Sequence, residues 1–76
     1  MRELVEYIAK TIASKPEEVV VTQEPDGEGR VILRLEVAAD DKGRIIGRNG
    51  RVAQSIRSLL RVAAAKQGVR AILEIT

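Results

Sequence analysis

Apolar side chains recur along the chain at two spacings, which predict helices and strands in turn. Residues 1–14 repeat apolar positions at helical spacing. Pro16 ends this helix near Ser14, because a residue that precedes proline avoids the helical region. Residues 19–24 are rich in β-branched side chains and predict a strand. The Pro-, Asp- and Gly-containing run 25–29 predicts the turn of a hairpin.

The return strand and the last strand alternate apolar and polar side chains. In the return strand, residues 30–37, one face is entirely apolar and holds Val31, Leu33, Leu35 and Val37. The last strand, residues 69–75, repeats this pattern with Val69, Ala71, Leu73 and Ile75. Such alternation predicts a sheet that helices cover on one face and that is open to water on the other.

Two helices are predicted between these strands. Asp40 or Asp41 is expected to cap a short helix that ends near Ile46. A longer helix occupies residues 51–67, and its predicted buried stripe consists of Val52, Ile56, Leu59, Leu60 and Ala63. The resulting order is α-β-β-α-α-β, in which the helical crossover makes the second and third strands parallel. The predicted fold class is therefore α+β, a single domain over residues 1–76 with three helices on one face of a three-stranded mixed sheet.

Composition narrows the classes of function. The chain has no Cys and no His, which removes disulfides, thiolate zinc sites and the commonest general base. It has no apolar run near the ~18 residues of a membrane span, and its N-terminus is too charged for a signal peptide. We therefore expect a cytoplasmic protein without a cofactor or a bound metal.

Charge is distributed unevenly along the chain. Residues 1–41 contain five Lys or Arg against ten Asp or Glu, which gives −5. Residues 42–76 contain eight Lys or Arg against Glu74 alone, which gives +7 and returns the total of +2. One interpretation is a basic face directed at a polyanion. The other is a solvated helix surface that acids folded nearby would balance.

The two predicted helices are joined by Gly47-Arg48-Asn49-Gly50, a link with glycine at both ends. Glycine leaves no Cβ to obstruct a ligand that approaches the backbone, and a helix start favours phosphate. Arg48 and Arg51 are the predicted phosphate contacts, and Lys42, Arg44, Arg57 and Arg61 would extend them. For Arg57 and Arg61, solvated charge on the helix surface is the favoured alternative. Asn49 is expected either to contact phosphate or sugar or simply to suit a tight turn.

Other nucleotide motifs do not fit this link. A dinucleotide-binding G-x-G-x-x-G would need glycine at position 45, which is Ile45, and Gly50-Arg51-Val52 does not end a P-loop. Tyr7 is the only aromatic residue, so bases cannot stack on a platform of aromatic side chains. Base contacts would have to be aliphatic or polar.

The run from Asp41 to Ala53, together with the order α-β-β-α-α-β, resembles a type II KH domain of the small stand-alone bacterial KhpA type. The resemblance covers the whole chain. It implies RNA binding without catalysis, with the loop from Gly47 to Gly50 clamping a single-stranded RNA backbone. By the same resemblance, Ile45 and Ile46 would support the loop and line an aliphatic base groove, which Ala53 and Ile56 extend.

The resemblance also implies partners. Its members self-associate and pair with a larger RNA-binding protein of the Jag type, which itself carries a KH domain. The apolar set on the long helix is wider than one core-facing stripe, which fits either a dimer face near Leu59, Val62 and Ala63 or alanines used for helix propensity. The resemblance favours the homodimer. An RNA chaperone or post-transcriptional regulator is the favoured function, and a protein-interaction adaptor is the alternative. A Mg²⁺ enzyme that uses Asp40 and Asp41 is disfavoured, because adjacent carboxylates usually point in different directions.

Overall fold

Three helices cover one face of a three-stranded sheet in the computed structural model, which describes all 76 residues. The helices are α1 (Arg2–Ile12), α2 (Lys42–Ile46) and α3 (Arg51–Lys66), and the strands are β1 (Val20–Pro25), β2 (Arg30–Glu36) and β3 (Arg70–Ile75). The order α-β-β-α-α-β and the α+β class are confirmed. No helix is both long enough and apolar enough to span a bilayer.

The sheet has the order β1-β2-β3, with β2 at its centre. β1 and β2 are antiparallel, with Val21 opposite Leu35, whereas β2 and β3 are parallel, with Leu33 opposite Leu73. The hairpin and the parallel crossover are therefore both as predicted. The hairpin turn also reaches β3, because the Arg70 N–H donates to the carbonyl of Gly29 at 2.7 Å.

The core lies between the inner face of the sheet and the three helices. Leu33 and Leu35 of β2 have no exposed surface, which confirms the predicted apolar face of the return strand. Burying one such leucine contributes about 1.5–3 kcal/mol. The helices supply the opposite wall through Val5, Ala9, Ile45, Ile56 and Leu60.

The first helix ends two residues earlier than predicted, at Ile12. Lys15 lies outside the helical region, with φ −122° and ψ 72°, as expected of a residue before proline, although it is not fully extended. Pro16 then begins a short 3₁₀ turn, Pro16–Glu18, which was not predicted from the sequence. Proline suits this position because it has no N–H to satisfy in a first turn.

The buried stripe of α3 differs from the prediction. Ala53, Ile56, Leu60 and Ala64 face the core, whereas Leu59 is 53% exposed. Val52 and Ala63 are only partly buried. The inclusion of Leu59 was wrong because α3 packs through its small alanines, which turns that leucine towards solvent.

Asp41, one of the two predicted caps, occupies the N-cap position of the short helix, but the side-chain hydrogen bond expected of a cap is absent. α2 begins after a 3₁₀ turn, and no side chain caps it. The carboxylate of Asp41 accepts hydrogen bonds from Ser14 and Lys15 instead. Asp40 forms an exposed ion pair with Lys15 at 3.5 Å.

Candidate nucleic-acid interface

The loop between α2 and α3 turns sharply through three residues with positive φ. Gly47 has φ 77° and ψ 172°, Asn49 has φ 57°, and Gly50 has φ 72°. Asparagine is one of the few other residues that adopt the left-handed conformation readily. This conformation favours the turn-forming role of Asn49, whose exposed side chain remains free of protein hydrogen bonds.

The two glycines of the loop differ in what an added side chain would meet. A Cβ at Gly47 would lie 2.4 Å from Cγ2 of Val52, so the close approach of the loop to α3 excludes any side chain there. A Cβ at Gly50 would meet nothing within 4 Å. Gly47 therefore lets the loop pack against its own helix, whereas Gly50 leaves an open backbone surface at the helix start.

The N-terminus of α3 combines a helix dipole with exposed arginines. No side chain caps this end, and Arg48 and Arg51 are exposed beside it. The N–H groups of Gly50 and Arg51 already donate to the carbonyls of Gly47 and Arg48. An anion here would therefore be attracted by the dipole and the guanidinium groups rather than by these two N–H donors.

The basic residues of the second half of the chain form no ion pairs. This holds for all eight of them, Lys42, Arg44, Arg48, Arg51, Arg57, Arg61, Lys66 and Arg70. Glu74, the one acid of that half, accepts from Arg34 at 3.1 Å. The interpretation that nearby acids pair with these cations is therefore not supported. Seven of the eight side chains are exposed, and Arg57 is partly buried.

The apolar residues expected beside the loop differ in accessibility. Ile46 is 42% exposed, whereas Ile45 has no exposed surface and Ala53 only 3%. Ile56 is likewise buried in the core. Ile46 is thus the member of this set that is accessible from solvent, and the other three are buried in the core.

A cleft that was not predicted from the sequence lies between α3 and the edge strand β3. Arg57 and Arg61 line it together with Ile72, and its floor is formed by Leu60, Ala71 and Leu73. Arg57 donates to the carbonyl of Leu73 at 3.4 Å, which holds that side chain against the strand. The two arginines are four residues apart and so share one face of the helix. This spacing is the feature of the sequence that could have indicated the cleft.

A glycine-bounded loop between two helices, mounted on an α-β-β-α-α-β fold, defines a KH-domain protein. The family model described as "KhpA/KhpB, KH domain" matches residues 2–75, and the chain belongs to this family.

Relatives of the same length support this assignment. The chain is 45% identical over 75 residues to the "RNA-binding protein KhpA" of Clostridium perfringens, and the match covers 99% of each chain. It is 47% identical over 73 residues to the protein of the same name from Treponema pallidum, which covers 96% of this chain and 90% of the relative.

Among solved structures, the fold is similar to part of Era. The Aquifex aeolicus Era Y63A structure with GDP and AlF4⁻ gives a TM-score of 0.62 at 20% identity. The match covers 97% of this chain and 28% of Era. At this identity the likeness shows the fold alone.

Proposed function

We propose that the chain is a non-catalytic RNA-binding protein that holds a single-stranded RNA backbone at the loop from Gly47 to Gly50. The observation that carries this proposal is the exposed loop at the uncapped start of α3, flanked by cations that form no ion pair. Membership of a family whose relatives are named RNA-binding proteins supports the same ligand.

In the proposed complex, a phosphate lies at the open surface of Gly50. The missing Cβ leaves room for the backbone to approach, and the dipole of the 16-residue α3 favours the negative charge. Arg48 and Arg51 then neutralise phosphates on either side, and Lys42 and Arg44 extend the field along α2. Contacts of this kind dominate affinity but carry no base information directly.

Bases would be held by aliphatic and main-chain groups. Ile46 offers an exposed apolar surface beside the loop, and the cleft lined by Arg57 and Arg61 adds polar groups along β3. Without an aromatic platform, binding should be weak and tolerant of sequence. That behaviour suits an RNA chaperone or post-transcriptional regulator built on the type II KH arrangement.

A second candidate function is pairing with another KH-containing chain. Leu59 and Val62 of α3 are 53% and 59% exposed. Neighbouring exposed apolar side chains of this size are typical of a surface that a partner covers. The occupant we propose is a second copy of this chain or a Jag-type protein. Sedimentation of the native chain should then depend on concentration, and Leu59→Lys should leave a folded monomer. A native chain that stays monomeric at all concentrations would exclude the homodimer.

The RNA proposal is tested by charge reversal in the loop. Labelled single-stranded RNA is titrated with the native chain and with the double variant Arg48→Asp and Asn49→Asp, at low and at physiological salt. The matched control, Arg2→Asp with Gln23→Asp, changes the net charge equally at exposed sites on α1 and β1. Circular dichroism checks that all three proteins are folded.

We expect native binding that weakens as salt rises, no binding by the loop variant, and binding by the control. If the loop variant and the control bind alike, the basic surface acts non-specifically and the loop is not the clamp. If the native chain binds no RNA, the pairing function becomes the leading proposal.

A further inference from the structure

Asp41 is the one polar or charged residue that is buried, with no exposed surface. Its Oδ1 accepts from the Ser14 N–H at 3.0 Å and from the Ser14 hydroxyl at 2.7 Å, and its Oδ2 accepts from the Lys15 N–H at 3.1 Å. Both donors lie more than 25 residues away, in the link between α1 and β1. A buried carboxylate that accepts three hydrogen bonds from these two residues is a specific connection between two distant segments.

The connection sits at the start of the helix that leads into the loop. α2 has only five residues, too few to be stable without tertiary support. The hydrogen bonds of Asp41 hold the N-terminal end of α2. Ile45, one turn later and wholly buried, holds its C-terminal end. The helix then closes with a hydrogen bond from the Gly47 N–H to the Gly43 carbonyl at 2.8 Å. The place of Gly47 therefore depends on both anchors.

We propose that Asp41 is a positioning residue, whose hydrogen bonds to Ser14 and Lys15 hold α2 in place and so set the geometry of the loop. The RNA measurement below rests on the proposed function, whereas the exchange measurement does not. A carboxylate suits this role because both oxygens accept, whereas an asparagine would direct an NH₂ group at one of the donors.

Positioning and plain electrostatics predict opposite effects on RNA binding. Asp41 lies next to Lys42 and near Arg44. The negative charge of its carboxylate repels a polyanion that these two cations would attract. If charge were its only influence, its removal would strengthen binding. If it positions the loop, its removal lowers the population of the binding-competent loop and weakens binding by that fraction.

The test compares Asp41→Asn with Asp40→Asn. The two substitutions remove the same charge from neighbouring positions, but the side chain of Asp40 is 80% exposed and forms only an ion pair with Lys15. We expect Asp41→Asn to bind single-stranded RNA roughly fivefold more weakly and to exchange the Gly47 amide hydrogen faster. Asp40→Asn should bind as well as the native chain or better, with unchanged Gly47 exchange.

Ser14→Ala gives an independent route if Asp41→Asn folds poorly. It removes the 2.7 Å hydroxyl hydrogen bond made by a residue in the link after α1, outside the proposed RNA contacts. A smaller loss of affinity in the same direction is expected. The double variant should lose no more than Asp41→Asn alone, because both changes break one network.

Three results would overturn the proposal. The first is RNA binding by Asp41→Asn that equals or exceeds that of Asp40→Asn, and the second is unchanged Gly47 exchange in both Asp41→Asn and Ser14→Ala. The third concerns the core variant Val21→Ala, which is used as a control that loses as much stability as Asp41→Asn. If it shows the same loss of RNA binding and the same faster Gly47 exchange, the effect comes from global destabilisation and not from the position of the loop. If the native chain binds no RNA, the RNA proposal fails, but Gly47 exchange still decides whether Asp41 orders the loop.

Discussion

The two halves of the chain differ in whether their basic residues form ion pairs. In residues 1–41, four of the five basic residues, Lys10, Lys15, Arg30 and Arg34, form ion pairs. In residues 42–76, none of the eight does. Exposed ion pairs contribute little to stability, about 0–1 kcal/mol each. The difference therefore matters for binding, because an unpaired cation meets a phosphate without first breaking a contact.

The halves also use their turns differently. The hairpin turn of the first half has glycines with positive φ, and Gly29 has open space around it. Its two acids, Asp26 and Glu28, make it a poor place for RNA. The loop of the second half is packed tightly at Gly47, open at Gly50 and bordered by arginines. Similar backbone conformations thus serve chain reversal in one half and a candidate binding site in the other.

The largest effect is expected from adding a side chain at Gly47. Gly47→Ala creates a clash with Val52 and forces a backbone conformation that is essentially restricted to glycine. We expect the free energy of unfolding to fall by about 2–4 kcal/mol, from overpacking and backbone strain together, with loss of RNA binding. Urea denaturation and RNA titration measure the two effects.

Gly29→Ala in the hairpin turn is the matched substitution from the first half. It also requires positive φ but meets no neighbour, so it should cost only about 1–2 kcal/mol and leave RNA binding intact. Equal losses of stability at the two glycines would contradict the tight packing inferred at Gly47.

The salt dependence of RNA affinity should distinguish the cations of the second half, which are proposed to contact phosphate, from those of the first half. On single strands, log K falls with log salt with a slope of about −0.7 per phosphate contact. Arg48→Gln and Arg51→Gln should each make this slope shallower by about 0.7 and weaken binding about tenfold, the cost of one charged contact. Lys10→Gln, in the first half, should change neither. A change of slope for Lys10→Gln equal to that for Arg51→Gln would remove the distinction between the halves.

Acid stability should reveal the buried carboxylate that links the halves. The Ser14 N–H, the Ser14 hydroxyl and the Lys15 N–H lower the pKa of Asp41. A carboxyl whose pKa is lowered on folding stabilises the chain above its unfolded pKa, about 3.9 for Asp. This contribution is lost as pH falls through the folded pKa. Between about pH 7 and about pH 2.5, the native chain should therefore lose more stability than Asp41→Asn in urea denaturation.

Asp40→Asn provides the comparison for this titration, since its exposed side chain accepts no buried hydrogen bond. It should follow the native chain across the whole pH range. If Asp41→Asn follows it as well, the hydrogen bonds of Asp41 do not contribute to stability.

The smallest effect is expected from giving the second half an ion pair. Ser55 is exposed one turn after Arg51, so Ser55→Glu places a carboxylate within reach of that arginine. Stability should change by no more than about 0.5 kcal/mol, while RNA affinity falls roughly twofold to threefold. Ser55→Gln is the neutral control, and equal affinities of the two variants would show that Arg51 does not contact RNA.

Local patterns in the chain were sufficient for the order of the elements, the pairing of the strands and the position of the loop. Each of these depends on residues close in sequence, such as the alternation around Leu33 or the glycines on either side of Arg48 and Asn49. The excess of acidic residues in 1–41 and of basic residues in 42–76 was likewise evident from the sequence. The roles of the individual loop residues in RNA binding remain predictions.

Other features depended on packing between distant segments. The apolar set of α3 is too wide to indicate which side meets the sheet, and only the folded chain shows that Ala53 is buried and Leu59 exposed. The partner of Asp41 lies 27 residues away at Ser14, so a local pattern suggested a helix cap instead. Whether an arginine is paired is decided by which acids folding brings near it, and no acid reaches Arg48 or Arg51.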